Sequence, residues 1–189
     1  ALHSIGRSDV VVLVIDSMHG TSQLDMRIAR EVVDRYKPCV IAVNKWDLAK
    51  DKTTTEEYEE YLTRNLPSLS YAPVLFMTAQ KAKNVTRCIS LVQSMAKQAN
   101  KRVSTGVLNR AVDEIRNGPR PRGKHGREPK IYYATQVAVM PPTIALFVNQ
   151  PSYFTPQLKR MIENRFRDLL EVPEVPVKIL YREKGKKDE

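Results

Sequence analysis

The sequence is short of the residues that build stapled folds and phosphate-binding loops. It has two cysteines among 189 residues, Cys39 beside an expected strand and Cys88 on an expected helix, with no CxxC spacing. That excludes a disulfide framework and a thiolate zinc site, and both read as buried thiols in a reducing compartment. His3 and His19 have no partner at ligand spacing, so no metal site is expected. No apolar run approaches membrane-spanning length and no signal peptide opens the chain. A soluble cytosolic protein without a membrane partner is expected. The seven glycines nowhere form GxxxxGK[ST], so nothing cradles the β- and γ-phosphates of a nucleotide. No DxxG follows a strand either, which removes the usual γ-phosphate sensor and any expected catalytic residue.

Positive charge is abundant. Lys and Arg number 31 against 21 Asp and Glu, a net charge of +10. Such a balance favours an acidic partner, nucleic acid first, provided the charge clusters.

The first half of the chain reads as strand–helix units. Residues 9–16 (DVVVLVID) form an apolar strand of the kind found in the centre of a parallel sheet. Asp16 ends it with turn chemistry rather than as a magnesium ligand. A helix follows over 22–36, with Ser22 and Asp25 in capping-box spacing and Leu24, Ile28, Val32 and Val33 on one side. A second strand starts at Val40, and a helix over 54–66 is capped by Thr54 or Thr55, with Tyr58 and Leu62 on a shared face. The strand 73–77 and the helix 85–100, buried along Cys88, Val92, Met95 and Ala99, complete a parallel α/β sheet.

The chemistry concentrates in residues 40–48, VIAVNKWDL. A β-branched run buried on both faces delivers Asn44, Lys45, Trp46 and Asp47 at its carboxyl end, where such strands meet ligands. Asn-Lys-x-Asp in this place is the guanine-reading motif of GTPases. An ionised Asp47 can accept from the N1–H and the 2-amino group of guanine. Adenine offers neither donor and would leave the desolvated carboxylate unpaired. The Lys45 stem can lie over the base while its ammonium stays wet, and Asn44 can tie the loop to its neighbours. One helix and one strand later, Thr78-Ala79-Gln80 stands where GTPases place a Ser-Ala-x turn whose backbone N–H donates to guanine O6.

Beyond residue 101 a second organisation begins. Ser104 caps a helix with Val107, Leu108, Ala111, Val112 and Ile115 inward, ending at Asn117-Gly118-Pro119. Residues 119–130 (PRPRGKHGREPK) carry Arg120, Arg122, Lys124, Arg127 and Lys130. Strands over 131–139 and 143–149, a helix from Pro156 to about residue 170, and a strand over 175–181 follow. Residues 182–189 read as a charged, frayed tail. The order α-β-β-α-β describes a small domain of about 80 residues.

With DVVVLVID, VNKWDL, KIYYATQV, PPT and LFVN in place, the chain resembles, nearly end to end, the C-terminal half of the Der (EngA) family. Those bacterial proteins carry two tandem GTPase domains and a KH-like domain. The resemblance implies the last three strand–helix units of a P-loop GTPase-type sheet over 1–101, a KH-like α+β domain over 102–181 and a tail over 182–189. It implies GTP or GDP as ligand, with Mg²⁺ only alongside the phosphate-binding half upstream in the parent chain. The implied activity is GTP-dependent assembly of the large ribosomal subunit in the cytoplasm, with the KH-like domain on ribosomal RNA. Asn44, Lys45 and Asp47 carry over as guanine readers, and Thr78-Ala79 as the second base loop. Thr78 stands where Ser is usual. Alone, the chain is expected neither to hydrolyse GTP nor to bind it tightly. Residues 123–126 have a GxxG pattern, but between a helix and a strand rather than between two helices. They read either as a basic turn touching phosphate or as a plain solvated loop. The second functional class is a non-enzymatic RNA-binding module with an α/β scaffold.

Overall fold

A computed structural model of the chain describes residues 2–118 and 128–185. It forms two compact units: Ala1–Gln98 with Glu174–Pro176, and Ala99–Pro173 with Val177–Glu189.

In the first unit, α1 (Leu2–Arg7) leads into β1 (Val11–Asp16), followed by α2 (Gln23–Asp34) and β2 (Cys39–Asn44). A single turn, α3 (Trp46–Ala49), precedes α4 (Thr55–Asn65), β3 (Val74–Phe76) and α5 (Val85–Ala99). Local chemistry sets the helix starts. Ser22 and Asp25 form the expected capping box, and Thr54 forms another with Glu57, so each cap satisfies donors that the first turn leaves open. The three strands are parallel in the order β1-β2-β3. β2 is buried on both faces, as its apolar run predicts. Cys39, Ile41 and Val43 join Ala29, Val32, Tyr58 and Leu62 on one side. Val40 joins Leu75, Cys88 and Met95 on the other.

β1 lies on the edge of the described sheet. Leu13 and Ile15 face the core, and Val12 and Val14 are 39% and 51% exposed. One expectation fails: Leu24 is 62% exposed. It sits about 80° around the helix from the buried Val32, beyond the narrow stripe that faces the sheet.

The second unit contains α6 (Thr105–Asn117), β4 (Ile131–Ala138), β5 (Thr143–Val148), α7 (Pro156–Leu169) and β6 (Lys178–Glu183). Ser104 and Thr155 cap the helices, with Pro156 in the first turn. β4 pairs antiparallel with β5, and β5 pairs parallel with β6. Leu108, Ala111, Val112 and Ile115 of α6 and Leu158, Ile162 and Phe166 of α7 are buried, as are Ile144, Leu146 and Val148 of β5. The last strand begins three residues later than the sequence suggests. Pro176 has no N–H to give a ladder, and pairing starts at Lys178. It also runs further: Arg182 and Glu183 pair with Phe147 and Val148, so they belong to the strand and not to a frayed tail. β4 breaks its alternation at two register shifts.

Candidate nucleotide site at the end of the parallel sheet

The carboxyl ends of β1, β2 and β3 bring one cluster of polar side chains together. Parallel register sets Asp16 beside Asn44. The Trp46 N–H donates to the Met77 carbonyl at 3.1 Å, drawing the 44–47 turn onto the segment after β3. Asn44 Oδ1 accepts the Ala79 N–H at 3.0 Å. Asp47 meets Thr78 twice: its N–H donates to Thr78 Oγ1 at 3.4 Å, and that hydroxyl donates to Asp47 Oδ1 at 3.3 Å. Thr78 is buried, and it closes its own turn through paired backbone bonds with Lys83. Four of the five residues that the sequence nominates for guanine, Asn44, Asp47, Thr78 and Ala79, therefore lie in one hydrogen-bonded patch.

Lys45 stands at the turn itself with φ +59°, left-handed for a residue with a Cβ. That conformation costs about 1–2 kcal/mol and persists because neighbours over-determine it. Ser17 Oγ donates to the Lys45 carbonyl at 2.9 Å, and the Leu48 N–H donates to the same oxygen at 3.0 Å. Its ammonium lies 2.7 Å from Asp16 Oδ2. Asp16 does have the turn role read from the sequence, accepting the Met18 N–H at 2.9 Å. What the sequence reading missed is its hold on Lys45. The signal was available: an acid ending one strand, and a lysine just past the end of the adjacent parallel strand. Lys45 above all, then the Met18 N–H and His19 (3.2 Å), holds the Asp16 carboxyl down at about 2.

Asp47 is likewise held below the usual carboxylate range, chiefly by Lys81, whose ammonium lies 2.9 Å from Oδ2. The exposed Lys81 thus donates to the Asp47 carboxylate. The Ala79 N–H is taken by Asn44 rather than standing open. Beside Asp47 opens a cleft of about 560 Å³ whose lining includes Trp46, Lys50, Thr78, Lys83 and Arg87. Trp46 forms its inner wall against Phe76 and Tyr58, with ring centroids at 4.3 and 5.6 Å. Among the described residues no group of His, Cys, Asp and Glu is placed to hold a metal ion. No described helix is long and apolar enough to cross a membrane.

Of the residues nominated for RNA, Arg120, Arg122, Lys124 and Arg127 lie outside the described residues, as does the turn 123–126. Lys130 is exposed in the second unit. Its N–H donates to Asn149 Oδ1 at 2.9 Å, and its carbonyl accepts from the Asn149 N–H at 3.0 Å.

Residues 2–98 match the elongation factor Tu GTP-binding domain family. Residues 102–182 match the KH-domain-like C-terminal domain of EngA bacterial GTPase enzymes. GTPase Der of Acaryochloris marina is 38% identical over 190 residues, covering 100% of this chain and 42% of the relative. GTPase Der of Syntrophobacter fumaroxidans is 39% identical over 185 residues, covering 96% and 41%. The chain thus spans about two fifths of the length of these relatives. Among solved structures, an Era variant of Aquifex aeolicus bound to GDP and AlF4⁻ is 17% identical, covers 96% of this chain and 67% of that one, and superposes with a TM-score of 0.41. From the agreement of both sequence halves with one kind of relative, the chain belongs to the Der (EngA) family of bacterial GTPases.

Proposed function

We propose that this chain supplies the guanine-reading half of a GTP-binding domain, residues 1–101, and an RNA-contacting KH-like domain, residues 102–181. The complete protein would then be a cytoplasmic, ribosome-associated GTPase acting in assembly of the large ribosomal subunit. The observation carrying this reading is the union of Asn44 and Asp47 with Thr78 and Ala79 at the carboxyl ends of parallel strands. In it Asp47 accepts from guanine N1–H and the 2-amino group as Lys81 swings aside, the Thr78-Ala79 turn faces O6, and the Lys45 stem lies along the base. Mg²⁺ would be bound only together with the phosphate-binding half of the parent chain. The basic residues Arg120, Arg122, Lys124, Arg127 and Lys130 are the candidate contacts to ribosomal RNA.

The test is Asp47→Asn in the complete protein, where the phosphates are held. The amide turns one acceptor into a donor that meets the guanine 2-amino group head-on. GTP affinity should fall at least about tenfold, as for loss of a charge-assisted bond. Xanthine carries a carbonyl at that position, so affinity for xanthosine triphosphate should rise. Unchanged GTP binding by a folded variant refutes the assignment of Asp47.

A further inference from the structure

The KIYYATQV stretch has no role in the nucleotide reading, and the fold gives it an unusual surface. In a regular strand Tyr132 and Tyr133 would point to opposite faces, one of them into the core. Here Ile131 pairs with Val148 and Tyr133 with Phe147, so Tyr132 is an inserted residue on β4. Such a bulge re-aims side chains. Neither tyrosine is buried; each is 40% exposed.

Both rings belong to an aromatic and cationic cluster. Tyr133 stacks on Phe147 across the strands, ring centroids 4.3 Å apart and planes 14° from parallel. The Lys184 ammonium lies 4.7 Å from the Tyr132 ring centroid. Lys184 follows the end of β6, where its N–H donates to the Val148 carbonyl, so its side chain reaches over the middle strand to the far edge. Phe147 is in register with Arg182. Glu183 pairs with the buried Val148 and so alternates to the other face. Exposed Lys130 immediately precedes the strand. The helices take the opposite face, where Ala134, Ile144, Leu146 and Val148 are buried. Asn109 of α6 fastens β4 there through its Oδ1 to the Ala134 N–H at 3.0 Å.

Flat rings edged by cations, on a protein of net charge +10, suit an anionic polymer with exposed π-faces. We infer that Tyr132, Tyr133 and Phe147, on the face of the β4-β5-β6 sheet opposite the buried Ile144, Leu146 and Val148, form a stacking platform for unpaired bases of single-stranded RNA, with Lys184 placed for the adjoining phosphate. This deepens the RNA-contacting reading above and rests on it. The outer face of Tyr133 continues the Tyr133–Phe147 stack onto a base. Since every base has a π-face, the platform tolerates sequence, but it rejects duplex, whose bases are already stacked.

The test titrates this chain into a fluorescently labelled short oligouridylate or oligoadenylate and into a duplex of the two, read by anisotropy. Tighter binding of the single strands is expected. Tyr133→Ala and Tyr133→Leu should each weaken that binding by about 5- to 150-fold, the range for loss of one stacked base. Tyr133→Phe should retain it. Tyr133→Ala should leave the salt slope intact, whereas Lys184→Ala should reduce it by about 0.7. The leucine variant keeps apolar bulk, so it decides the matter should the alanine variant not fold. RNA binding unchanged in Tyr133→Leu overturns the platform and leaves the RNA reading standing. No binding to any RNA overturns both. Equal affinity for duplex and single strand overturns the platform, as does concentration-dependent self-association that Tyr133→Leu abolishes without an effect on RNA.

Discussion

Asp16 and Ser17, whose side chains hold Lys45, lead into a turn that one hydroxyl pins. Tyr61 Oη accepts the Thr21 N–H at 2.8 Å and shares a hydrogen bond with Thr21 Oγ1 at 2.8 Å. Gly20 adopts φ +69°, and a Cβ there would lie 2.6 Å from the same oxygen. Gly20→Ala therefore has two separable costs. Left-handed backbone at a residue with a Cβ costs about 1–2 kcal/mol. Displacing the Tyr61 hydroxyl strands the Thr21 N–H, a further ~1–2 kcal/mol. Tyr61→Phe has only the second cost, about 1–2 kcal/mol, and relieves the contact, since the next ring atom is at an ordinary 3.4 Å. The double variant should thus lose about 2–4 kcal/mol rather than the ~3–6 of simple addition, a coupling of about 1–2 kcal/mol. Trp46 is the single tryptophan and packs on Tyr58, which in turn packs on Tyr61, so its fluorescence follows unfolding of this unit. Urea transitions of the four proteins at constant slope give the cycle. Additivity within about 0.5 kcal/mol would refute the shared-hydroxyl argument.

Asp16 makes a pH prediction. Its folded pKa is depressed to about 2 from an ordinary value of 3.8, so the unfolded chain takes up the proton first. The stability it contributes is complete above the unfolded value and is lost as pH falls towards 2. Acid titrations followed by Trp46 fluorescence should show Asp16→Asn less stable than wild type at neutral pH but flatter between about pH 4 and 2; superimposable profiles would contradict the Lys45 pairing. Replacing Arg120, Arg122, Lys124 and Arg127 together by Ala should weaken RNA binding and flatten its salt dependence, by about 0.7–0.9 in log–log slope for each phosphate that is no longer neutralised. An unchanged slope assigns that stretch to solvent.

What could be read without coordinates acts over a few residues. The Ser22–Asp25 capping box, a cap at Thr54 or Thr55, the Ser104 cap, Pro156 at the start of its helix and the buried run 40–43 depend on local donors, local acceptors and apolar periodicity. Placing Asn44 and Asp47 at a strand's carboxyl end follows from the same pattern. The parts that were not legible depend on groups distant in sequence. Thr21 and Tyr61 are 40 positions apart, and Lys81 and Asp47 are 34 apart. Apolar alternation cannot show which residue of β4 is inserted, so Tyr132 reads as core or surface until Ile131 and Tyr133 find their partners on β5. Nor can an apolar run say whether a strand has neighbours on both sides. β1 and β2 look alike in sequence, yet in the described sheet β2 is hydrogen-bonded on both edges and β1 on one, with Val12 and Val14 facing outward. Pairing and long-range hydrogen bonds are properties of the assembled sheet. They decided which lysine meets which carboxylate and which aromatic rings stay at the surface.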